Sequence, residues 1–294
     1  MALVAQLVTG VAGTLAAQER RELQAGEPET QLMGYYAVLM SFLPVGLPDR
    51  DGRFLIGGTA TLVPSLSEED RLVSFGGTKS VNTNFCPAFP RITASKAFGR
   101  VSAEVAFTPS IDACGAQASV FGGALGYRAP LSPTWDGMVR VSAFSGTVDA
   151  AITCSEDMIT NPIDQTCYGG SVSADRVATT AGAINLIGAY RGWAARRLEP
   201  YVTAGVRYER VDFDVNYTRT QAQADSVSLA DPTNAVPPLD DHERFRATLA
   251  RVQLGAGIAW NAGGRFRLAA DLLYAPGAVL TASGGVGLLI GRSR

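Results

Sequence analysis

The stretch LEPYVTAGVRYERVDFDV, residues 198–215, carries the pattern that decides the fold. From Val202 to Tyr208 every second residue is apolar or small, and the residues between them are polar or glycine and include Arg207. Successive side chains of a β-strand point to opposite faces, so this alternation predicts a strand with one dry face and one wet face. Two questions follow: what covers the dry face, and why the wet face carries charge.

Composition restricts the classes of protein to consider. The chain has 294 residues, of which 47% are hydrophobic and 18% are charged. That length suits one large all-β unit or two small domains. No stretch reaches the roughly 18 uninterrupted apolar residues of a membrane helix. The net charge of −2 and the scattered basic residues give no electrostatic reason to expect nucleic acid as a partner.

The same alternation recurs after residue 30 and is bounded by turn residues, with no domain linker and no convincing amphipathic helix. It predicts twelve strands, near 31–43, 53–63, 69–77, 89–98, 100–109, 116–129, 134–149, 172–191, 198–217, 244–260, 264–275 and 278–291. The strand at 69–77 has the weakest pattern. If it and its neighbour are loop, the count is ten.

The predicted connections are of two kinds that alternate along the chain. Short turns fall at 98–100, 130–133, 192–197 and 261–263, and longer polar loops fall at 78–88, 110–115, 150–171 and 218–243. Outer-membrane barrels have short turns at their periplasmic end and long loops outside. A soluble sandwich gives no reason for this asymmetry.

One face of the predicted strands is ionic. We expect its charged members to line the lumen of a barrel: Arg53, Arg100, Glu104, Arg140, Arg207, Glu209, Arg251, Arg267 and Asp271. Burying so many charges in a dry core would cost several kcal/mol each unless all were paired. The opposite face is apolar, as in Val101–Phe107 and Leu268–Leu272, and if lipid covers it, only a closed barrel leaves no unpaired edge. The sequence therefore predicts an all-β fold, a closed antiparallel up-and-down transmembrane β-barrel of twelve strands, with ten as the alternative.

Aromatic residues on the apolar face group by strand end. Tyr127, Trp135, Tyr190, Trp260 and Phe266 fall at short-turn ends, and Tyr208 and Tyr274 fall toward long-loop ends. Phe266 and Tyr274 are eight residues apart, about 26 Å along a strand and roughly 20 Å of membrane height at a tilt near 40°. Two aromatic girdles at that separation match the two interfaces of a bilayer.

The N-terminal residues resemble a targeting segment. Residues 1–17 are an apolar run that ends in small residues, and we predict a signal peptide there. No Lys or Arg precedes Arg20, so the alternatives are a start inside a longer signal or a buried N-terminal helix. We assign 18–30 to an N-terminal periplasmic segment and 31–294 to the barrel.

The four cysteines fall in predicted loops and support export to an oxidising compartment. Cys154 and Cys167 flank one polar loop, and Cys86 and Cys114 lie in two others, so we predict disulfides. The alternative is four reduced, buried cysteines. No paired short spacing of a zinc site occurs and the chain has one histidine, so we expect no metal and no cofactor.

A family resemblance agrees with the barrel. EPYVTAGVRYERVDFD, residues 199–214, resembles a strand of small bacterial outer-membrane β-barrel proteins, and RLAADLLYAPGAVLTASGGVGLLIG, residues 267–291, resembles their final hairpin. The resemblance implies the outer membrane of a Gram-negative bacterium, with the lipid bilayer and lipopolysaccharide as partners. One departure is the ending GLLIGRSR, where such proteins usually have an aromatic residue that assists insertion.

Our leading functional hypothesis is a passive channel for small solutes or a structural barrel with a charged lumen. Inward Arg140, Arg207, Arg251 and Arg267 would favour small anions by replacing part of their hydration. If these charges instead pair across a closed lumen, the barrel conducts nothing.

Two other classes are alternatives. The predicted strands 172–191 and 198–217 exceed the roughly 9–11 residues that cross a bilayer, so a surface-exposed adhesion or assembly barrel is the second hypothesis. The third comes from Asp240, Asp241 and His242, which resemble the Asp-His half of the omptin proteases. A carboxylate beside an imidazole can hold it as a general base. The Asp pair that omptins also need cannot be placed, so we expect no enzyme.

Overall fold

The computed structural model describes residues 20–41, 46–49, 51–62, 64–74, 79–81, 83, 88–113, 115–161, 167–190, 197–218, 240–262, 264–276 and 279–291. In chain order the elements are β1 (Arg21–Glu22), α1 (Pro28–Met40), β2 (Phe54–Leu62), a 3₁₀ turn (Glu69–Arg71), β3 (Leu72–Ser74), β4 (Lys79–Ser80), β5 (Ala88–Phe98), β6 (Val101–Ala113), β7 (Ala116–Pro130), β8 (Trp135–Ala150), α2 (Glu156–Thr160), β9 (Asp175–Tyr190), β10 (Leu198–Thr218), β11 (Asp240–Ala262), β12 (Phe266–Ala275) and β13 (Val279–Ile290).

Ten antiparallel strands close into a barrel. The pairing runs β11-β10-β9-β8-β7-β6-β5-β2-β13-β12, and β12 pairs back with β11 from Leu254↔Tyr274 to Ala262↔Phe266. Every strand of this cylinder has two neighbours, so the ladder is closed. The predicted closed antiparallel barrel is confirmed with ten strands, the alternative count, and not with twelve.

The two predicted strands that fail lie before β5. Residues 69–77 contain the 3₁₀ turn and the three-residue β3, which pairs only with β4. Residues 31–43 were predicted as a strand, but α1 covers Pro28–Met40. Proline is favoured in the first turn of a helix because its missing N–H has no partner there. The run that follows Pro28 is apolar all round, which is typical of a helix buried on every side.

The barrel wall has unequal height. Strands β10 and β11 have 21 and 23 residues, whereas β12 has 10 and β2 has 9. The predicted loop at 110–115 is wrong because β6 continues to Ala113 and β7 begins at Ala116, so the ladder leaves two residues between them. We call the end with the β5–β6, β7–β8, β9–β10 and β11–β12 connections the short-turn end, and the opposite end the long-loop end.

Among the described residues, no helix has both the length and the apolar character needed to cross a membrane.

Candidate functional site

The outer surface of the barrel carries a continuous apolar belt. Its large members are all exposed: Val101, Val105, Phe107, Val139, Val141, Ile184, Leu186, Val202, Val206, Val252, Leu254, Ile258, Leu268, Leu272, Val286, Leu288 and Ile290. A soluble monomer rarely exposes an apolar patch larger than a few hundred Å². An apolar band around a closed barrel is the architecture of bacterial outer-membrane proteins. It agrees with the outer membrane as the predicted location.

Aromatic residues bound this belt. At the short-turn end Tyr127, Trp135, Trp260 and Phe266 are exposed, with Tyr190 against Trp135 at a ring-centroid distance of 5.3 Å. Tyr208 and Tyr274 are exposed nearer the long-loop end. Trp260 pairs with Leu198, ten residues before Tyr208, a span of about 33 Å along the strand and roughly 25 Å of height. These positions fit the two predicted girdles.

The apolar face of strand β10 points outward as far as Tyr208 and inward beyond it. As far as Tyr208 its exposed residues are apolar, and Arg207 on the other face is buried. Beyond that point Val211 and Phe213 are buried, and Asp212 lies on the outer face. The apolar residues therefore change from even to odd positions within the strand.

The paired strand β11 makes the same change at the same height. Tyr208 pairs with Ala250. On the short-turn side of Ala250 the exposed residue is Val252, and on the long-loop side Leu249 is buried and Arg246 faces outward. This level marks the upper edge of the membrane-spanning part. Above it the wall resembles a water-soluble protein, with a dry inside and a charged outside.

Replacement of Val202 by arginine should lower the free energy of unfolding in lipid vesicles by about 2–4 kcal/mol, because a guanidinium would face hydrocarbon near the bilayer midplane. The matched control is Asn216→Arg, on the exposed face of the same strand above the belt, with an expected change within about 0.5 kcal/mol. Urea unfolding of both variants measures the difference. Equal costs would show that lipid does not cover the face of Val202.

Helix α1 lies inside the barrel. Ten of its 13 residues are buried. The Arg91 Nη2 donates a hydrogen bond to the Leu39 carbonyl oxygen at 2.7 Å, and the Tyr35 hydroxyl donates to the Pro64 carbonyl oxygen at 3.0 Å. Burial raises the pKa of Tyr35 to about 12, so this phenol stays a donor at physiological pH. These two hydrogen bonds join the helix to strand β5 and to the segment that follows β2.

Gly34, the one glycine of α1, lies against the side chain of Arg251 in the wall. A Cβ at Gly34 would lie 1.9 Å from the Arg251 Nη2 and 2.6 Å from its Cζ, whereas a Cβ at Gly26 would have no neighbour within 4 Å. Glycine at 34 therefore makes room for a guanidinium.

The chain reaches α1 from the long-loop end. There β1 pairs in parallel with β11, Arg21 opposite Phe245, at a height where β12 has already ended. Arg20 Nη1 lies 3.1 Å from Asp212 Oδ1, above the belt. Residues 20–22 are therefore at the charged upper wall.

The chain leaves the lumen at the opposite end. Arg53, just before β2, forms an ion pair with Asp49 at 2.9 Å and donates a hydrogen bond to the Gly264 carbonyl oxygen in the β11–β12 turn at 2.6 Å. The chain thus crosses the barrel between residues 22 and 53. The boundary predicted after residue 30 falls inside α1. The assignment of residues 18–30 to the periplasm stays a prediction, which depends on which end of the barrel faces the periplasm.

An epitope inserted at Gly26 should bind antibody on intact cells, because residues 20–27 lie at the long-loop end. One inserted at Tyr168, an exposed residue of the β8–β9 connection, should behave alike. One inserted in the 131–134 turn should become accessible only after permeabilisation. Antibody binding to Gly26 only after permeabilisation would reverse the position of this segment.

The upper lumen is a dry core around α1. The wall contributes buried apolar side chains from six strands: Ala106, Val120, Ala124, Phe144, Val148, Val177, Ala181, Val211, Phe213, Val215, Phe245, Ala247 and Leu249. They pack with Leu32, Met33 and Tyr36 of the helix. The expectation of a hydrated interior does not hold here, because apolar side chains replace the ionic ones above the level of Tyr208.

The lower lumen is ionic and is filled by the segment after α1. Arg140 Nε lies 2.9 Å from Glu104 Oε1, and Arg140 Nη2 donates to the Gly46 carbonyl oxygen at 3.1 Å. The Tyr201 hydroxyl donates to Asp271 at 3.0 Å and accepts from the Gly46 N–H at 2.9 Å. Inward polar and charged side chains at this level thus hold the segment after α1, which fills the lower lumen, by hydrogen bonds.

Two predicted lumen residues lie near the short-turn end. Arg267 Nη2 is 2.9 Å from Glu199 Oε2, and both residues are buried. Arg100 is exposed in the β5–β6 turn and lines a cavity of about 260 Å³ with Arg128 and Asp136. Arg100 therefore lies at the mouth of the barrel and not along its lumen.

A basic cluster lies between these two layers. Arg207 Nε is 2.8 Å from Glu209 Oε1, and both side chains are fully enclosed, with 1% and 0% exposure. Arg251 pairs directly with Arg207 in the β10–β11 register. Arg91 reaches the same part of the lumen to bind Leu39. Arg207 and Arg251 share Glu209, and Arg91 lies between Arg207 and the carboxylate of Asp271.

Some inward polar residues were missed although the alternation contains them. Glu199 and Tyr201 share the odd positions of β10 with Arg207, so the phase of that strand could have found them. Arg91 shares one face of β5 with Phe89 and Thr93, but the apolar pattern of this strand is too weak to show which face points inward. Asn185, which hydrogen-bonds Gln253, is uncharged and gave no signal.

The β8–β9 connection is held by the predicted disulfide between Cys154 and Cys167, which is confirmed, with a Cα–Cα distance of 5.6 Å. Asp175 at the start of β9 accepts hydrogen bonds from the backbone N–H groups of Ile152 and Thr153 at 3.0 and 2.6 Å. Cys86 and Cys114 lie outside the described residues, as do residues 1–17 of the predicted signal peptide.

The omptin-like residues begin β11. In the register His242 pairs with Asn216 and Asp241 with Tyr217, but the side chains of Asp240, Asp241 and His242 lie outside the described residues. The protease hypothesis thus stays a prediction. In the part of the chain that the structure describes, no three His, Cys, Asp or Glu residues are grouped so as to hold a metal ion.

The chain shows weak structural similarity to solved outer-membrane proteins. No protein-family model and no curated protein matches the chain. Among solved structures, Ail of Yersinia pestis is similar at 11% identity, covering 81% of this chain and 96% of its own, with a TM-score of 0.32. The outer membrane protein Omp33 of Acinetobacter baumannii is 11% identical, covers 81% and 98%, and has a TM-score of 0.30. The translocator domain of autotransporter NalP from Neisseria meningitidis is 11% identical, covers 90% and 96%, and has a TM-score of 0.35.

Proposed function

We propose that this protein is an outer-membrane barrel whose lumen is closed by its own N-terminal helix, and that it acts as a structural, surface-presenting barrel. The observation that carries the proposal is the position of α1, which is buried inside the wall. Hydrogen bonds from Arg91 and Arg140 to the backbone of residues 39 and 46 hold this plug in place.

The pairing of the inward charges supports a closed lumen. Arg140 and Arg267 each lie within 2.9 Å of a carboxylate oxygen of the wall, and Arg140 also donates to the Gly46 carbonyl oxygen. Arginines so engaged have little left to offer a passing solute. Of the two original alternatives for these charges, pairing across a closed lumen fits them better than a conducting channel.

The surface that such a barrel would present to its surroundings is the outer face of strands β8–β11 above the apolar belt. Arg176 Nε lies 2.6 Å from Asp149, and Arg246 Nε lies 2.6 Å from Asp212, both above the belt. The hydrogen bond that Arg176 donates to the Asp149 carboxylate raises the pKa of Arg176. With exposed Arg210 between them, these arginines stand at the height of lipid headgroups, where lipopolysaccharide phosphates would be partners.

Conductance in planar bilayers tests the plug. The wild-type barrel should show no steady conductance, whereas Gly34→Leu should open a pore, because its side chain would overlap Arg251 and displace α1. Gly26→Leu is the matched control, since a Cβ there meets no neighbour within 4 Å. The double variant Gly34→Leu with Arg251→Ala should regain a closed lumen, because the shortened side chain frees the space. Steady wild-type conductance equal to that of Gly34→Leu would overturn the proposal.

A gated anion channel is the second candidate, favoured by the grouping of Arg91, Arg207 and Arg251 in the lumen. If α1 moves aside, the open pore should prefer anions. The reversal potential of Gly34→Leu in a salt gradient measures this preference, and Arg207→Ala should shift it toward zero. An opened pore with no ion preference would contradict the second candidate and leave the first intact.

A further inference from the structure

We infer that the lumen holds a binding site for one small monovalent inorganic anion, of the halide class, between Arg207 and Arg251 and next to Arg91. The inference concerns the closed barrel and does not depend on conduction. It rests on charge, on unpaired donors and on the surroundings of the cluster.

The first argument is the charge imbalance. Arg207 and Arg251 are direct cross-strand partners on the inner face, and like charges in such positions repel. Glu209, 2.8 Å from the Arg207 Nε, neutralises one of them. Arg91, which interacts with both Arg207 and Asp271, adds a third positive charge, and Asp271 adds a second negative one. The cluster therefore carries a net charge of about +1 in an enclosed site, which is costly without a further negative charge.

The second argument is the set of unpaired donors. Both terminal nitrogens of Arg207 and the Nη1 of Arg251 are buried without a hydrogen-bond partner among the described residues. The Arg207 side chain is 1% exposed, so bulk water does not hydrate it. A guanidinium presents its donors in a fixed planar fork. The N–H groups of two such forks on adjacent strands can converge on one acceptor.

The third argument is that the neighbouring layers do not supply a further negative charge beside Arg207 and Arg251. Toward the long-loop end the next inward residues are the buried Val211 and Leu249. Toward the short-turn end they are Gly205 and Gln253; the Gln253 Nε2 donates to Asn185, and its buried Oε1 is an uncharged acceptor. Asp271 lies on the side of Arg91 and already accepts the Tyr201 hydroxyl. An external anion is therefore the remaining source of negative charge beside the Arg207–Arg251 pair.

The size of the anion follows from the helix. Gly34 of α1 rests on the Arg251 guanidinium, with no room for a Cβ. A small ion fits beside such a contact, whereas a sugar or a phosphorylated headgroup would displace the helix. An anion here would join β10, β11 and α1 electrostatically and so stabilise the closed state.

Thermal unfolding of the full-length protein in detergent tests the inference, with bromide as the probe replacing gluconate at constant ionic strength. Bromide should raise the Tm saturably, by about 2–4 °C, because it binds the folded state only. Arg251→Gln should abolish the saturable rise. Arg210→Gln, on the exposed face three residues from Arg207, should retain it.

Crystals grown with bromide provide a second measurement that needs no variant. An anomalous peak within hydrogen-bond distance of both Arg207 and Arg251 is the expected result. Absence of the peak together with a Tm that does not respond to bromide would overturn the inference. So would a saturable rise that Arg251→Gln leaves unchanged.

Discussion

Replacement of Glu209 by alanine should lower the free energy of unfolding by about 3–5 kcal/mol, because removing one partner of a buried ion pair leaves the other charge uncompensated. Here the loss is compounded, since among the described residues Glu209 is the one carboxylate ion-paired with Arg207, and it also interacts with Arg251. Urea unfolding in detergent micelles, followed by the loss of the compact SDS-resistant band on unheated gels, measures the change.

The control for this variant is Asp212→Ala, three residues further along the same strand. Asp212 is ion-paired with Arg246 at 2.6 Å but faces outward, so its loss should cost no more than about 1 kcal/mol. If the two variants were equally stable, the interior around Arg207 would have to be hydrated and not enclosed.

Replacement of Val211 by aspartate should cost several kcal/mol, because it places a carboxylate without a partner in the dry upper lumen. Val211 is 0% exposed and belongs to the core around α1. The same urea titration applies, and conductance should appear as the packing of the helix loosens.

The matched substitution is Thr248→Asp, on the exposed face of β11 and directly opposite Arg210. An aspartate there meets water and an arginine, so its effect should stay within about 0.5 kcal/mol. If Val211→Asp were as stable as this control, the face exchange of β10 would not separate a dry interior from a wet exterior.

These expectations share one structural cause, the exchange of faces near Tyr208. Below it the exterior must be apolar because it meets lipid, and the interior can carry ions. Above it the exterior meets water, so the apolar residues move to the interior and need a partner to cover them. Helix α1 is that partner, and the arginine cluster lies at the level of the exchange.

The local pattern of the sequence was sufficient for the strands of the barrel. Alternation placed β2 and β5–β13 within a few residues of their observed bounds, because each strand has one lipid-facing side and the side-chain period of two is local information. The exchange of faces is also visible in VTAGVRYE followed by RVDFDV. It could have been recognised as the upper edge of the membrane.

Only the tertiary structure decided what fills the barrel. The segment LMGYYAVLM, residues 32–40 of α1, is apolar on every side, and such a run suits a buried strand or a buried helix equally. Its conformation depends on the lumen around it, which is built by strands up to about 250 residues away in the chain. The ion pairs that join Arg140 to Glu104 and Arg267 to Glu199 likewise depend on closure of the cylinder. Periodicity describes which side of a strand is wet, whereas the partner across the lumen is set by strand register and barrel size, which no local pattern contains.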